Sequence, residues 1–426
     1  MKVRGLAANT ALALAGGVAS KAGALLVVLL AARLFAVGEF AVVATALAFA
    51  GLLATALDLG AGTLLARDGA SSAASRGALL RGLLEARAPL FVALLVSAPL
   101  VGVWLGDPLT ALAVAGLSIA GALALSVLGL YRSCQDIGPE AVQKLVAALL
   151  ASAAVLVCGV FAPRADVLLG ALALVTLVTL VPLVVRLPAV ADLSDTLGPM
   201  TALRRAAPIG LIALATVAYY RSGTIALAAL GDAHETAAFS VAAGLAFGLL
   251  MLPNAITTAL LPRLAVERGS DGLLVCTRRA LAWTLAIAVP MAAVAAAFGP
   301  VAIPFLLGPE YTTAGPPFAL LCLGIPIIAA SGVIGTAVLA LGRLRALGVQ
   351  VGFSLFVNLV ALTLLVPRLE SIGAALATVI CELAGLLLLV LTARRALPGL
   401  LSIRWISSGR PVTRPAAASP ERAIGA

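Results

Sequence analysis

The chain is a near-unbroken succession of apolar runs. Each is about twenty residues long, the length of a helix that crosses a bilayer core. A window of about nineteen residues resolves roughly twelve of them, near 11–32, 40–60, 89–105, 109–130, 142–161, 165–186, 206–230, 236–258, 280–306, 316–341, 347–366 and 371–391. The third and fourth are parted only by Gly106-Asp107-Pro108. Backbone groups find no water to bond in lipid, so such runs fold as helices. Only 11% of the 426 residues are charged, against about 25% in a soluble domain. The reading is an all-α polytopic membrane protein with no soluble domain of useful size. The first run is too long for the apolar core of a signal peptide and shows no clear small-residue cleavage site, so it is expected to remain as a span. Prolines within the runs, as in Val289-Pro290 and Ile325-Pro326, are tolerated where neighbouring helices satisfy the freed backbone groups.

The formal net charge of +10 follows the loops. One alternate set of loops carries Lys2 and Arg4, then Arg67, Arg76, Arg81 and Arg87, and so on to Arg343 and Arg345. With the tail from Arg394 to Arg422 it holds most of the 28 basic residues, whereas the opposite set has Arg33, Arg164 and Arg368. By the positive-inside rule both termini are expected in the cytoplasm, with an even number of spans. The charge therefore needs no nucleic acid or other acidic partner. Residues 75–87, with basic positions among Leu79, Leu80, Leu83 and Leu84, read as an interfacial helix on the anionic inner leaflet, and 263–279 does likewise. The stretch 396–426, rich in Pro, Ser, Ala and Arg, reads as a disordered cytoplasmic tail.

Catalytic chemistry finds no foothold. The five cysteines, Cys134, Cys158, Cys276, Cys322 and Cys381, have no metal-ligand spacing and read as small apolar residues. The single histidine, His234, sits beside Asp232 and Glu235 in a short loop and cannot build a zinc site of the usual kind. No nucleophile–base pair or phosphate-binding glycine loop is present. The expectation is a non-enzyme without cofactor or metal.

What remains is charge within the spans. Lys21 lies near the middle of the first run, at a cost of roughly 2.5–3.5 kcal/mol on insertion scales. Such residues face a bundle interior or a water-filled cavity, and mark either a structural ion pair or a transport path. The two halves of the sequence also match at an offset of roughly 200 residues. LDLGAGTLLAR (57–67) lies over LPNAITTALLPR (252–263), setting Asp58 on Asn254 and Arg67 on Arg263. FAVVATALAFAGLL (40–53) resembles FSVAAGLAFGLL (239–250), Gln143 answers Gln350, and Pro163-Arg164 answers Pro367-Arg368. Six spans per half give a parallel repeat, with substrate expected between the halves. Lys21 then falls near Arg221, which follows Tyr219 and Tyr220. Glu382 lies mid-span in the twelfth run and Asn358 in the eleventh. Glu382 reads either as partner of one of the cations or as a functional carboxylate. Asn358 reads as an interhelical hydrogen-bonding residue, and Asp58 as a helix-end or gate contact. Lys21, Arg221, Tyr219, Tyr220 and Asn254 are the candidate substrate contacts; Glu382 and Asp58 are the candidate coupling or ion-pair residues.

Several of these stretches resemble the oligosaccharide flippases of the multidrug/oligosaccharidyl-lipid/polysaccharide (MOP) exporter superfamily. AARLFAVGEFAVVATALAFAGLLATALDLG (31–60) is similar to that family's Ala-Arg-Leu turn and Asp-Leu-Gly ending, although Ala41 replaces an expected glycine. LLPRLA (260–265) and LLGPEYTTAGPPFALLCLGIP (306–326) resemble further family segments, and VNLVALTLLVPRLESIGAALATVICELAG (357–385) is the strongest match. The resemblance spans roughly residues 5–395 and implies two six-helix lobes, 1–200 and 201–395, in the V shape of the MATE transporters. It implies alternating access that carries a polyprenyl-diphosphate-linked oligosaccharide across a bacterial plasma membrane for cell-surface polysaccharide synthesis. Membrane lipids, a polysaccharide polymerase and glycosyltransferases are the implied partners. A diphosphate in a bilayer calls for cations at depth, which Lys21 and Arg221 supply. The rival readings are a cation-coupled multidrug exporter, a lipid II flippase, for which twelve spans are few, and a non-transporting scaffold of a polysaccharide synthesis complex.

Overall fold

The computed structural model describes residues 6–69, 72–187, 192, 197–230, 232–254, 256 and 271–396. Every element among them is helical: α1 (Leu6–Leu34), α2 (Val37–Asp58), α3 (Ala61–Asp68), α4 (Ala73–Leu105), α5 (Pro108–Ser133), α6 (Ile137–Phe161), α7 (Ala165–Val185), α8 (Pro199–Leu230), α9 (Ala233–Leu249), α10 (Asp271–Leu307), a 3-10 turn (Pro309–Ala314), α11 (Gly315–Ala340) and α12 (Leu344–Ala396). Eleven described helices are long and apolar enough to cross a membrane. The last crosses twice, because α12 breaks at Glu370 (φ 49°, ψ −127°). A Cβ on Gly373 would lie 2.5 Å from Leu365 O, and one on Gly385 would lie 2.3 Å from Ser354 Oγ. The limbs 344–369 and 371–396 are therefore an antiparallel hairpin. Within the described residues, all twelve runs read from the sequence fall on these crossings. Both ends of the described chain consequently lie on one face, the terminal face; the opposite one is the distal face.

The local chemistry explains the least certain boundary. Gly106 ends α4 in the left-handed region (φ 82°). Asp107 then caps α5 by accepting from Thr110 N at 3.0 Å, and Pro108 opens that helix, where its missing N–H costs nothing. Three residues thus suffice for a membrane hairpin.

Among the first six crossings α1 packs on α6, and α5 on α2, α4 and α7; among the last six α10 packs on α11, and α12 on α11 and α8, while α8 also packs on α2 and α4. The repeat has a physical counterpart. Glu39 at the start of α2 accepts from Ala165 N at the head of α7 (3.0 Å). Glu235 at the start of α9 accepts from Ser371 N at the head of the second limb of α12 (3.3 Å). The same carboxylate-to-helix-terminus tie closes each lobe. Toward the distal face a shared core joins the lobes, with Phe35, Phe40 and Val43 packed among Phe239, Ala246, Tyr311 and Phe318. Nearer the terminal face, α2 turns through Leu59 and Gly60 (φ 50° and 82°) into the short α3. A Cβ on Gly60 would lie 2.5 Å from Gly210 N of α8, so both the turn and the contact between lobes require glycine there.

Three expectations are corrected. Residues 75–87 are not an interfacial helix: α4 begins at Ala73 and runs on as a crossing, with Leu79, Leu80 and Leu83 buried against α3, α5 and α8. Arg87 is accordingly no loop residue but a fully buried one. Residues 271–279 are the first turns of α10 rather than a surface segment; 257–270, including Arg263 and Arg268, lie outside the described residues, as do 397–426 of the expected tail.

Candidate functional site

The candidate residues sort into one exposed set and two buried ones. Lys21 is exposed on α1. It shares a helical face with Leu25 and Val28, at i+4 and i+7. Those two side chains rest on glycine notches of α9: a Cβ on Gly248 would lie 3.2 Å from Leu25, and one on Gly244 would lie 3.2 Å from Val28. One turn toward the terminal face the seam parts, and Leu252 of the α9 segment is 57% exposed. Lys21 sits at this parting, with no hydrogen bond or ion pair among the described residues. Asn254, half-buried, ends the same segment.

Arg221 is exposed on α8, on the face that also carries Gly210, eleven residues and about 20° away. That face lines the α2–α8 seam. The Arg221 guanidinium lies over Gly51, 3.6 Å from the position a Cβ would take. It too has no hydrogen bond or ion pair among the described residues. The helix starts Val37 and Ala233 set the structural offset between halves at 196, the same as from Glu39 to Glu235 and from Asp58 to Asn254. By that offset Arg221 corresponds to Leu25, and both side chains lie on a glycine of the other lobe. The two cations are therefore not equivalent, as the sequence match suggested. They belong to opposite seams, with Arg221 one turn, about 6 Å, nearer the distal face.

Glu382 is buried with a hydroxyl rather than with a cation. Tyr219 Oη donates to Glu382 Oε1. Asn358 Nδ2 donates to Ser222 Oγ (2.6 Å) and to Tyr219 O (3.2 Å), which fastens α8 to both limbs of α12. Asn358 is 1% exposed and its Oδ1 has no partner among the described residues. Tyr220 turns its ring toward the seam, tilted at 56° to Tyr219 with centroids 4.5 Å apart and edge-on at 5.4 Å to Phe247 of α9. Phe247 was not singled out in the sequence, where nothing separates it from other span aromatics.

Asp58 belongs to a second buried group, within the first lobe. Arg87 Nη1 lies 3.5 Å from Asp58 Oδ1. The carboxylate also accepts from Gly62 N (3.2 Å) and Ser126 Oγ (3.2 Å). Arg87 donates from Nε to Leu83 O (2.9 Å) and from Nη1 to Ser126 Oγ (3.0 Å), and its guanidinium sits 5.9 Å from the Phe91 ring centroid. The sequence did carry a signal for it: Arg87 continues the i, i+4, i+8 register of Leu79 and Leu83. Among the described residues no group of three or more His, Cys, Asp or Glu could hold a metal ion.

Comparison places this architecture in a known fold. The solved structure of the lipid II flippase MurJ in an inward closed conformation matches with a TM-score of 0.71 at 12% identity, over 88% of this chain and 86% of that one. A MOP superfamily transporter from Pyrococcus furiosus, whose binding pocket is described as reversed in polarity, matches at 0.67 with 14% identity, over 92% and 95%. An outward-facing multidrug resistance MATE family transporter of the same superfamily matches at 0.65 with 14% identity, over 92% and 96%. The chain thus has the fold of MOP superfamily members. No family model matches its sequence, and no curated protein does.

Proposed function

We propose that the protein is a membrane transporter that flips an anionic lipid-linked sugar, a polyprenyl-diphosphate oligosaccharide, by alternating access of two lobes, 1–200 and 201–395. One observation carries this reading: the inter-lobe seams expose two uncompensated cations, while the deep carboxylates are satisfied inside the lobes. Lys21 and Arg221 are exposed and unpaired among the described residues, whereas Asp58 is held by Arg87 and Ser126 and Glu382 by Tyr219. A site for cationic drugs would need the opposite balance. Charge-assisted bonds to phosphate contribute about 1.5–3 kcal/mol each; Arg221 can grip bidentately and Lys21 acts as a point charge. Tyr219, Tyr220 and Asn254 complete the proposed contacts. The likeness to MurJ favours a second lipid diphosphate, lipid II, and the same cations would serve it.

The test is transport of lipid-linked substrates in reconstituted vesicles. Lys21→Ala and Arg221→Ala are each expected to cut transport at least about tenfold, the equivalent of one such bond, at normal protein abundance. Normal transport by a stable double variant would refute the site, and uptake of cationic drugs would replace the substrate class. Comparing an undecaprenyl-diphosphate oligosaccharide with lipid II separates the two lipid readings. On this proposal the terminal face, rich in Arg and Lys, is cytoplasmic in a bacterial plasma membrane, and polymerase and glycosyltransferases act beside it. A reporter active only outside the cytoplasm, fused after Ala396, is expected to stay silent; a strong signal would invert the orientation.

A further inference from the structure

A cavity of about 610 Å³ lies between α2, α4 and α5 of the first lobe, closed by the end of α8 and the start of α9. Small side chains open it: Ala46 on α2, Ser97 and Ala98 on α4, and Ala111 on α5 line its walls. Pro99 within α4 removes a helical hydrogen bond and lets α4 diverge there. Val42, Ala46, Phe49 and Leu53 put the groove on one face of α2. Gly51, under Arg221, lies about 200° of helical rotation from Phe49 and Leu53. On α2 the groove and the cation-bearing seam therefore lie on opposite faces, and on α8 the groove reaches only Ala228, about two turns from Arg221 toward the distal face.

Its surroundings identify the occupant. Val101 lines the groove, and beside it Leu100, Val103 and Trp104 are 69%, 70% and 84% exposed. In a bilayer that surface meets lipid chains, so the groove is entered from the hydrocarbon layer. The charged side chains in its lining are both acidic, Asp107 and Asp232. Each caps a helix at the distal face, Asp107 by accepting from Thr110 N (3.0 Å) and Asp232 by accepting from Glu235 N (2.7 Å). The Thr110 hydrogen bonds hold the Asp107 carboxyl below the usual carboxylate range, so it stays charged. Arg164 is near but is engaged with Asp166 at 2.9 Å. Two carboxylates at the end of an apolar groove repel a diphosphate and attract an ammonium.

From this juxtaposition we infer that the groove binds one chain of a distal-leaflet phospholipid whose headgroup carries a primary ammonium, seated against Asp107 and Asp232. Such a lipid touches both lobes and is not the transported substrate, so its presence is independent of the transport reading. The experiment is native mass spectrometry of the purified full chain, titrated with phosphatidylethanolamine and phosphatidylglycerol of identical acyl chains. Wild type is expected to retain the ethanolamine lipid roughly fivefold better, as weak exposed charge contacts allow. The Asp107→Asn, Asp232→Asn double variant is expected to lose the preference yet keep its thermal stability, because asparagine caps helices as well as aspartate. Ala98→Phe, which fills the groove, is expected to lose the bound lipid. Equal retention of the two lipids by wild type, or an unchanged preference in the double asparagine variant, would overturn the inference even if Ala98→Phe fails to accumulate.

Discussion

At the scale of single residues, the deep polar groups divide into those that hold a lobe together and those left open at a seam. Arg87 is 0% exposed and answers Asp58. Removing one partner of a buried pair strands the other charge and costs about 3–5 kcal/mol, while replacing both with apolar groups is often neutral. Asp58→Leu and Arg87→Met are each expected to lower the melting temperature of the detergent-solubilised protein sharply, and the double variant to recover most of the loss. A double variant as unstable as the singles would mean that the pair is not a unit. Glu382 makes the contrasting case. Its partner is the Tyr219 hydroxyl, so Glu382→Gln keeps a carbonyl acceptor for Tyr219 and is expected to retain abundance. Any change in transport by that variant would then report on the carboxylate itself. The sequence placed Glu382 at depth, but in it Asp58 reads as a helix-end contact and Arg87 as a loop residue, and it could not pair them. Asp58 and Arg87 are 29 positions apart, and their meeting depends on how α2 and α4 pack around Ser126.

At the scale of elements, the crossings were legible because apolar length is a strong signal and the punctuation was chemical: Gly106-Asp107-Pro108, Pro367-Arg368, Leu59-Gly60. What was not legible was where a crossing continues beyond its apolar core. The first turns of α4 are amphipathic and read as a surface helix, yet their leucines bury against the protein rather than against lipid headgroups. Composition alone does not distinguish those two apolar surroundings. The α2–α3 turn makes a sharp prediction at this scale. Gly60 has φ 82° and nearly touches Gly210, so Gly60→Ala both strains the backbone and pushes α2 from α8. A cysteine-directed reagent added from the terminal face is expected to reach a probe at Ile209→Cys faster in Gly60→Ala than in the parent. Unchanged labelling would show that the contact does not close this face.

At the scale of the whole molecule, the 196-residue offset makes the α1–α9 and α2–α8 seams equivalents, and the lobes meet through glycine notches on both. Without a hydrophobic driving force between helices in lipid, such close small-residue contacts supply much of the packing that holds them. On the proposed alternating-access reading, these discrete contacts are the ones that would be unmade. The α1–α9 seam is the better one to test, because Lys21 lies at its open end. A Cβ on Gly244 would lie 3.8 Å from Val28 Cβ, close to the mean separation across a disulfide. Val28→Cys with Gly244→Cys, in a background where Cys134 and Cys276 are serine, is expected to cross-link on mild oxidation with little distortion. If the seam must part for substrate to pass, the oxidised protein loses transport and dithiothreitol restores it, while each single cysteine variant transports normally in both redox states. Complete cross-linking with transport at the parental rate would show that α1 and α9 move as one body, and the path would then have to open along α2 and α8, beside Arg221.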